Sequence, residues 1–349
     1  MEEYIAFDSH RRYTLAEREG IADGSARQQR IDHRRGAIRD YLSSCQVGTA
    51  VAVEATGNWY WIIEEIEQAG LRPLLVHPRK AKLMMGMINK TDKLDVHGLN
   101  RLQRNQTLPT VWVPPRALRD LRELTRTRMV LTRQRTQLKN RLTSTLAKYG
   151  LGVQGRSDVF GVAARRQWPG LLEQLPEHTR FCATQLLDEL DQVCERIAGM
   201  EKRLNGVVQG HSGMQLLLSM PGIGQILSPV IALEIGDVSR FPDAEHLASY
   251  AGTTPRVHSS GDKTRYGRLR PDVNRYLKWA FIEAANTIAL QHRRQPDRHV
   301  SQLYSRLKNR KGHAKAIGAV ARHLAEATWH LLTKQESYRD PRLGQTRKA

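Results

Sequence analysis

The chain is short of cysteine, of acids and of long apolar runs, and each shortage excludes a class of protein. Its three cysteines, Cys45, Cys182 and Cys194, show neither CxxC spacing nor an even count. A disulfide framework and a zinc knuckle are both disfavoured, which suits a reducing cytoplasm. No apolar run approaches the roughly 20 residues that a membrane span needs. No basic amphipathic helix stands apart from a globular context, so a membrane-surface role is disfavoured as well. The opening residues MEEYIAFD are acidic and pass at once into a strand-like segment, which is the pattern of a fold element rather than of a signal peptide.

The shortage of acids carries the most information. Thirty-five Asp and Glu face 55 Lys and Arg, a formal net charge of +20. Such an excess costs folding stability through self-repulsion and draws polyanions from solution. Nucleic acid is therefore the expected partner. Arginine is spread along the chain, so more than one surface is expected to meet it. The 349 residues leave room for two or three domains with real cores.

Residues 1–108 read as α/β. YIAFD is a short apolar strand ending in Asp8, and RRYTLAERE and GSARQQRI supply two further hairpin strands. TAVAVEATG is a buried strand ended by Glu54, WYWIIEEIEQA has helical spacing, and LRPLLVHP is a strand stopped by Pro78. Strands first, then alternating helix and strand, resemble a ribonuclease-H-like (RuvC-like) core, a mixed sheet with helices on its faces. The prolines of TLPTVWVPP mark a boundary, and residues 109–212 read as a linker and a helical arm. Leu121, Leu124, Leu131, Leu138, Leu142 and Leu146 form one stripe. After a variable stretch, Leu186, Leu190, Val193, Ile197, Met200 and Leu204 form a short heptad seam. An intramolecular hairpin and a dimer-forming coiled coil fit that seam equally. Residues 213–349 read as a mostly helical domain, in which Pro221-Gly222-Ile223-Gly224 has the form of a helix-hairpin-helix turn, with backbone amides able to hold a phosphate. A plain interhelical turn is an equal reading.

Four acids have informative positions. Asp8 and Glu54 end two core strands, where sites form in open sheets. In NKTDKLDVHG, Asp92 and Asp95 open a helix at i and i+3, on one face. As helix dressing, Asp92 is an N-cap and Asp95 an N3 acid. Yet acids that end buried strands need a cation or a partner, and carboxylates drawn together repel unless a hard divalent ion relieves them. Lys90 and Lys93 then face phosphate or stand solvated on the helix. The second concentrated signal is AGTTPRVHSSGDKTRYGRLRPDVNRYLKWA. There Arg256, Lys263, Arg265, Arg268, Arg270 and Arg275 crowd a Ser-Ser-Gly sequence, read as a basic loop suited to a DNA backbone.

Asp8 after a strand, EATG, KTDKLDVHGL, MPGIG, YAGTTPRVHSSG and NRYLKWA occur in this order. Together they resemble the DEDD-type transposases of insertion sequences, the bridge-RNA-guided DNA recombinases, over nearly the full chain. The resemblance implies that Asp8, Glu54, Asp92 and Asp95 bind Mg²⁺, with Mn²⁺ as a substitute. It implies that Ser260, the serine directly before Gly261, is the nucleophile of a covalent phosphoserine intermediate, with Ser259 one residue away as the other assignment. Gly222, Gly224 and the basic residues above would contact nucleic acid. It further implies a structured guide RNA, donor and target DNA, dimers assembling to a tetramer in which the serine of one subunit works with the acids of another, and a prokaryotic, nucleoid-associated cytoplasmic setting. The chain departs from the family pattern at RLRPDVNRY, where many relatives read Lys-x-Gly-Asn. Two other classes remain: a RuvC-like nuclease or junction resolvase that uses water, and a non-enzymatic basic packaging protein.

Overall fold

In EYIAFDS every residue from Ile5 to Ser9 is buried, the mark of a strand covered on both faces. The computed structural model describes residues 3–86, 91–261, 263–269 and 273–341. They form two compact units, divided between Pro114 and Pro115. The first contains β1 (Glu3–Ser9), β2 (Tyr13–Gly20), β3 (Ala26–Asp32), α1 (Ala37–Leu42), β4 (Ala50–Glu54), α2 (Trp59–Gln68), β5 (Arg72–Val76), α3 (Pro78–Met85) and α4 (Asp92–Arg104). The sheet order is β3-β2-β1-β4-β5. The first three strands are antiparallel, and β4 and β5 run parallel to β1. This mixed sheet is compatible with the ribonuclease-H-like core expected from the sequence.

Strand alternation sorts the two faces. Ile5, Phe7, Val51 and Val53 pack against Ile38, Ile62, Ile63 and Ile66 of α1 and α2. On the other face the small Ala6 and Ala52 let α4 approach closely through Val96 and Leu99. Burying each large aliphatic side chain contributes about 1.5–3 kcal/mol. Buried acids fix the helices in place. The Glu17 carboxylate accepts from Gln28 and Asn100 and lies 3.1 Å from His97 Nδ1, docking α4 on β2. The Glu65 carboxylate accepts from the amides of Gly36, Ile38 and Arg39, satisfying the start of α1. The proline-rich TLPTVWVPP is not a free linker. Thr110 bridges Val76, the Val111 amide donates to the Leu75 carbonyl at 2.7 Å, and Val111 and Val113 pack on the first core.

The second unit begins with α5 (Arg116–Lys148), followed by α6 (Val162–Arg165), α7 (Trp168–Glu173) and α8 (Glu177–Gln209). Helices α5 and α8 pack against each other within the chain. Leu142 and Leu146 meet Ala183 and Leu190, while Arg128 pairs with Glu201 farther along, so the two run antiparallel. The stretch read as variable is built instead around Trp168, which is buried, stacks on Phe160 and donates its indole N–H to the Val159 carbonyl at 2.9 Å. Beyond it come α9 (Ser212–Leu217), α10 (Leu227–Ile235), α11 (Ala244–Tyr250), β6 (Pro255–Ser260), β7 (Lys263–Leu269), α12 (Arg275–Gln291), α13 (His299–Lys311) and α14 (His313–Lys334). Their shared core includes Leu217, Ile231, Leu247, Phe281, Val320 and Leu324.

The turn at Pro221–Gly224 is tied into this core. Gly222 has a φ of +78°, and a Cβ placed there would overlap the Ala284 carbonyl oxygen of α12. Neither backbone can yield easily. Gly222→Ala is expected to cost about 2–5 kcal/mol, combining left-handed strain with overpacking. Gly224→Ala, at an exposed position with nothing within 4 Å of its Cβ, is expected to change stability by less than about 1 kcal/mol. Equal denaturant midpoints for the two variants would refute this account of the turn.

Candidate functional site

Helix α4 starts beside the carboxyl ends of β1 and β4. In the β1–β4 register Phe7 faces Val53, so one step further Asp8 comes alongside Glu54. Alternation gives both the face of Ala6 and Ala52, which is the face that α4 covers. Thr91, not Asp92, is the N-cap: its side chain accepts from the Leu94 amide, and Asp92 is the first helical residue. That frees the Asp92 carboxylate from capping. Both Asp92 and Asp95 lie in the first turn, where the helix dipole favours them.

Among the described residues, Asp8, His10 and Asp92 bring ligand atoms within 4.8 Å of one another. His10 Nε2 lies 3.2 Å from an oxygen of Asp8 and 3.2 Å from one of Asp92. It is buried, and neither contact has the alignment of a hydrogen bond. Atoms in adjacent positions around a small divalent ion, with bonds of about 2.1 Å, are about 3.0 Å apart, so this spacing fits a cation site. Two carboxylate oxygens and an imidazole suit a divalent metal, the carboxylates favouring Mg²⁺ or Mn²⁺ and the imidazole extending the choice to softer transition-metal ions. Glu54 and Asp95 lie outside this 4.8 Å group.

Tyr13 holds the arrangement. Its hydroxyl donates to Asp92 at 2.7 Å, and its ring lies 4.6 Å from the His10 ring with the Arg30 guanidinium 4.0 Å from its centroid. The hydrogen bond to Asp92 raises the phenol above its ordinary pKa, so it stays a donor well into the alkaline range. The backbone of His10 is pinned as well, its carbonyl accepting from Asn58 at 2.7 Å. Neither His10 nor Tyr13 was found from the sequence. The available signal was the Asp8-x-His10 spacing at a strand end.

The serine segment is a two-stranded ribbon rather than a loop. Val257 pairs with Tyr266, His258 with Arg265, Ser259 with Thr264 and Ser260 with Lys263. Directly paired residues share a face, and neighbours alternate. One face thus carries Arg256, His258, Ser260, Lys263 and Arg265. The other carries Val257, Ser259, Thr264 and Tyr266, with Ser259 Oγ 3.4 Å from Thr264 Oγ1. Ser260 and its basic neighbours are exposed, as is Arg268. Gly261 follows at the tip with a φ of +57°.

A buried polar network holds the start of α12, the helix that follows the ribbon in sequence. Asn274, directly before α12, caps that helix by accepting from the amides of Tyr276 and Leu277. Its amide nitrogen donates to Glu234, a fully buried acid that also takes a two-pronged bond from Arg126. Arg122 donates to the Leu233 and Glu234 carbonyls, and burial pulls its guanidinium below the ordinary value while Glu234 acts in the opposite sense. Arg275, the first residue of α12, is exposed with its guanidinium 5.4 Å from the Tyr276 ring centroid. Lys93 is exposed on α4, whereas Lys90 and Arg270 lie outside the described residues.

Comparison with known proteins decides what this arrangement belongs to. A family model for DEDD transposases of the IS110 type, described as a transposase, matches residues 23–150. A second, described as the transposase IS116/IS110/IS902 family, matches residues 214–301. Together they take in more than half of the chain. This protein belongs to the IS110 family of transposases. A probable family 20 transposase of Pseudomonas aeruginosa is 28% identical over 318 residues, covering 88% of this chain and 90% of that one. The transposase for insertion sequence element IS1111A of Coxiella burnetii is 26% identical over 88% of this chain and 83% of its own. The pilin gene-inverting protein of Moraxella bovis is 28% identical over 60% of this chain and 57% of its own.

As a member of this family the transposase is an enzyme acting on DNA. The first match contains Glu54, Asp92 and Asp95 and begins after Asp8, His10 and Tyr13. The second contains the Pro221–Gly224 turn, the Glu234–Asn274 network and the whole ribbon. Positive charge is less evenly spread than the run of arginines suggested. Residues 1–114 hold 16 Lys and Arg against 14 acids, and residues 115–349 hold 39 against 21. Among the described residues, no helix is long and apolar enough to cross a membrane.

Proposed function

We propose that this transposase cleaves and rejoins DNA through a covalent phosphoserine at Ser260, with Mg²⁺ or Mn²⁺ held by the acidic cluster and a structured RNA choosing the DNA. The observation that carries the serine reading is the exposure of Ser260 on the basic face of the ribbon, directly opposite Lys263. A neutral serine is a poor nucleophile, and nearby cations favour its alkoxide and neutralise the phosphate that it approaches. In the step, Ser260 Oγ bonds to phosphorus, the bond from phosphorus to the 3′ oxygen breaks, and the serine proton ends on the released 3′-hydroxyl. No co-reactant is needed. The reverse attack by another 3′-hydroxyl rejoins the strand and frees the serine.

Asp8, His10 and Asp92 would hold the cation, while Glu54, beside Asp8 in the strand register, and Asp95, in the first turn of α4, would add negative charge and act through water. When bound, the cation supplies positive charge to the phosphate oxygens and lowers the pKa of a coordinated hydroxyl. Tyr13 keeps Asp92 oriented, as outer partners of metal ligands do. The exposed Arg256, Arg265, Arg268 and Arg275 grip the backbone, which leaves the reading of sequence to base pairing with the RNA. Gly222 and Gly224 offer a further backbone contact at the α9–α10 turn. The helical pair α5–α8 would join copies into dimers and then a tetramer as a coiled-coil arm.

The test is to purify the protein from cells carrying its element, with and without nuclease treatment. Any retained RNA would be sequenced, and a DNA pair matching its loops offered with Mg²⁺ or with chelator. Exchange is expected only with the RNA and the metal. Exchange by RNA-free protein would remove the guide from the proposal, and full activity in chelator would remove the metal.

A further inference from the structure

The corner where α12, α13 and α14 meet carries a basic surface that the serine chemistry does not use. Residues 292–315 contain eight Lys and Arg and one acid, Asp297. All eight cations are exposed, and among the described residues none forms an ion pair. Most of the patch lies beyond residue 301, past the end of the second family match.

The ordinary explanation is that cations gather at helix carboxyl ends. It accounts for Lys308, Arg310 and Lys311 in the last turn of α13. It fails for Arg298, which is the N-cap of α13, and for Lys315 in the first turn of α14. Both stand at positive helix ends, where a cation is unfavourable, and neither helix has an acid in its first turn. An arrangement that works against the dipole and against self-repulsion is stabilised when a polyanion lies on it. The patch also exposes no Phe, Tyr or Trp ring: Tyr304 is buried, with Lys308 Nζ 5.8 Å from its ring centroid, and the exposed ring is the imidazole of His313, 5.9 Å from Tyr304. Single strands are held by stacking on Phe, Tyr or Trp rings, so the surface suits a duplex.

We infer that this corner is a second DNA-binding surface, which grips the phosphate backbone of duplex DNA flanking the position where the strand is exchanged. The ribbon reaches this surface directly. A Cβ placed at Gly318 of α14 would lie 4.0 Å from the side chain of Leu269, the last residue of the ribbon, and Gly318 is one helical turn from Lys315. One duplex is long enough to meet both. The inference rests on DNA as substrate and not on Ser260 as nucleophile.

The experiment measures binding of the full chain, in chelator so that no strand is cut, to a 30-base-pair duplex DNA across a salt series (about three helical turns). Duplex RNA and single-stranded DNA of equal length run in parallel. In R306Q/K308Q/R310Q/K311Q the slope of log affinity against log salt is expected to fall by about 3, with affinity for duplex DNA at least about tenfold weaker. R306K/R310K is expected to bind as the unaltered protein does. Circular dichroism and the thermal midpoint establish that the variants are folded. A folded quadruple variant with unchanged slope and affinity for duplex DNA overturns the proposal. So does a loss confined to duplex RNA or to the single strand.

Discussion

Ser260→Ala is expected to bind DNA as the unaltered protein does, to form no covalent protein–DNA adduct, and to lose strand exchange by at least about 10³-fold, the scale on which removing an attacking hydroxyl acts. Ser259→Ala is expected to stay within about tenfold of the unaltered rate. The two serines are neighbours in sequence but not in environment. Ser259 faces Thr264 and the Val257–Tyr266 side of the ribbon, whereas Ser260 shares its face with Lys263, Arg265 and His258. A phosphate drawn to those cations meets one hydroxyl and not the other. Labelled DNA trapped on the protein in a denaturing gel reads the adduct directly. An adduct that survives in Ser260→Ala and disappears in Ser259→Ala would reassign the nucleophile. Cleavage that persists without any adduct, in altered and unaltered protein alike, would make water the nucleophile and the transposase a metal-dependent nuclease in its chemistry.

The first sheet was legible because its strands are apolar. Ile5, Phe7, Val51 and Val53 have no surface to occupy, so their pattern and order dictate a covered mixed sheet. The ribbon reads as a loop for the opposite reason. PRVHSS and KTRYGRL are exposed on both faces, so no hydrophobic period marks them as strands, and only cross-strand pairing reveals which side chains stand together. At the acidic cluster, Asp8 and Asp92 were found because acids at strand ends and helix starts are conspicuous. His10 and Tyr13 were missed because the turn after β1 brings them in, its geometry set by the hydrogen bond from the His10 amide to the Tyr13 carbonyl. Thr91 and Asp92 are both residue types that cap helices, and only the fold, in which the Thr91 side chain reaches the Leu94 amide, distinguishes them. The heptad seam left two pairings open, and packing of α5 on α8 within the chain satisfies it without a second copy. A further pairing between copies would have to use the outer faces, where Val130 is half exposed.

Loss of the carboxylates at the proposed cation site is expected to act as strongly as loss of the serine. Asp8 is 6% exposed and sits beside His10 and Asp92, so Asp8→Asn keeps the shape of the side chain while removing its charge from the proposed cation site. Exchange is expected to fall by at least about 10³-fold for Asp8→Asn or Asp92→Asn, with DNA binding intact in chelator. Tyr13→Phe separates ligation from positioning. Without the hydroxyl, Asp92 keeps its charge and loses its orienting bond, so half-saturation by Mg²⁺ is expected to rise by about 10- to 100-fold while the rate at saturating metal is largely kept. A reduced maximal rate with unchanged metal dependence would show that Tyr13 does something other than orient a ligand. Mixing then tests the division of labour between copies. Asp8→Asn and Ser260→Ala are each expected to be inactive alone, and assembling them together restores exchange if the acids of one copy act with the serine of another. No recovery from a mixed assembly shown to contain both chains would mean that each copy must supply both parts itself, and the sharing between subunits that the resemblance implies would fall while the chemistry at each residue stood.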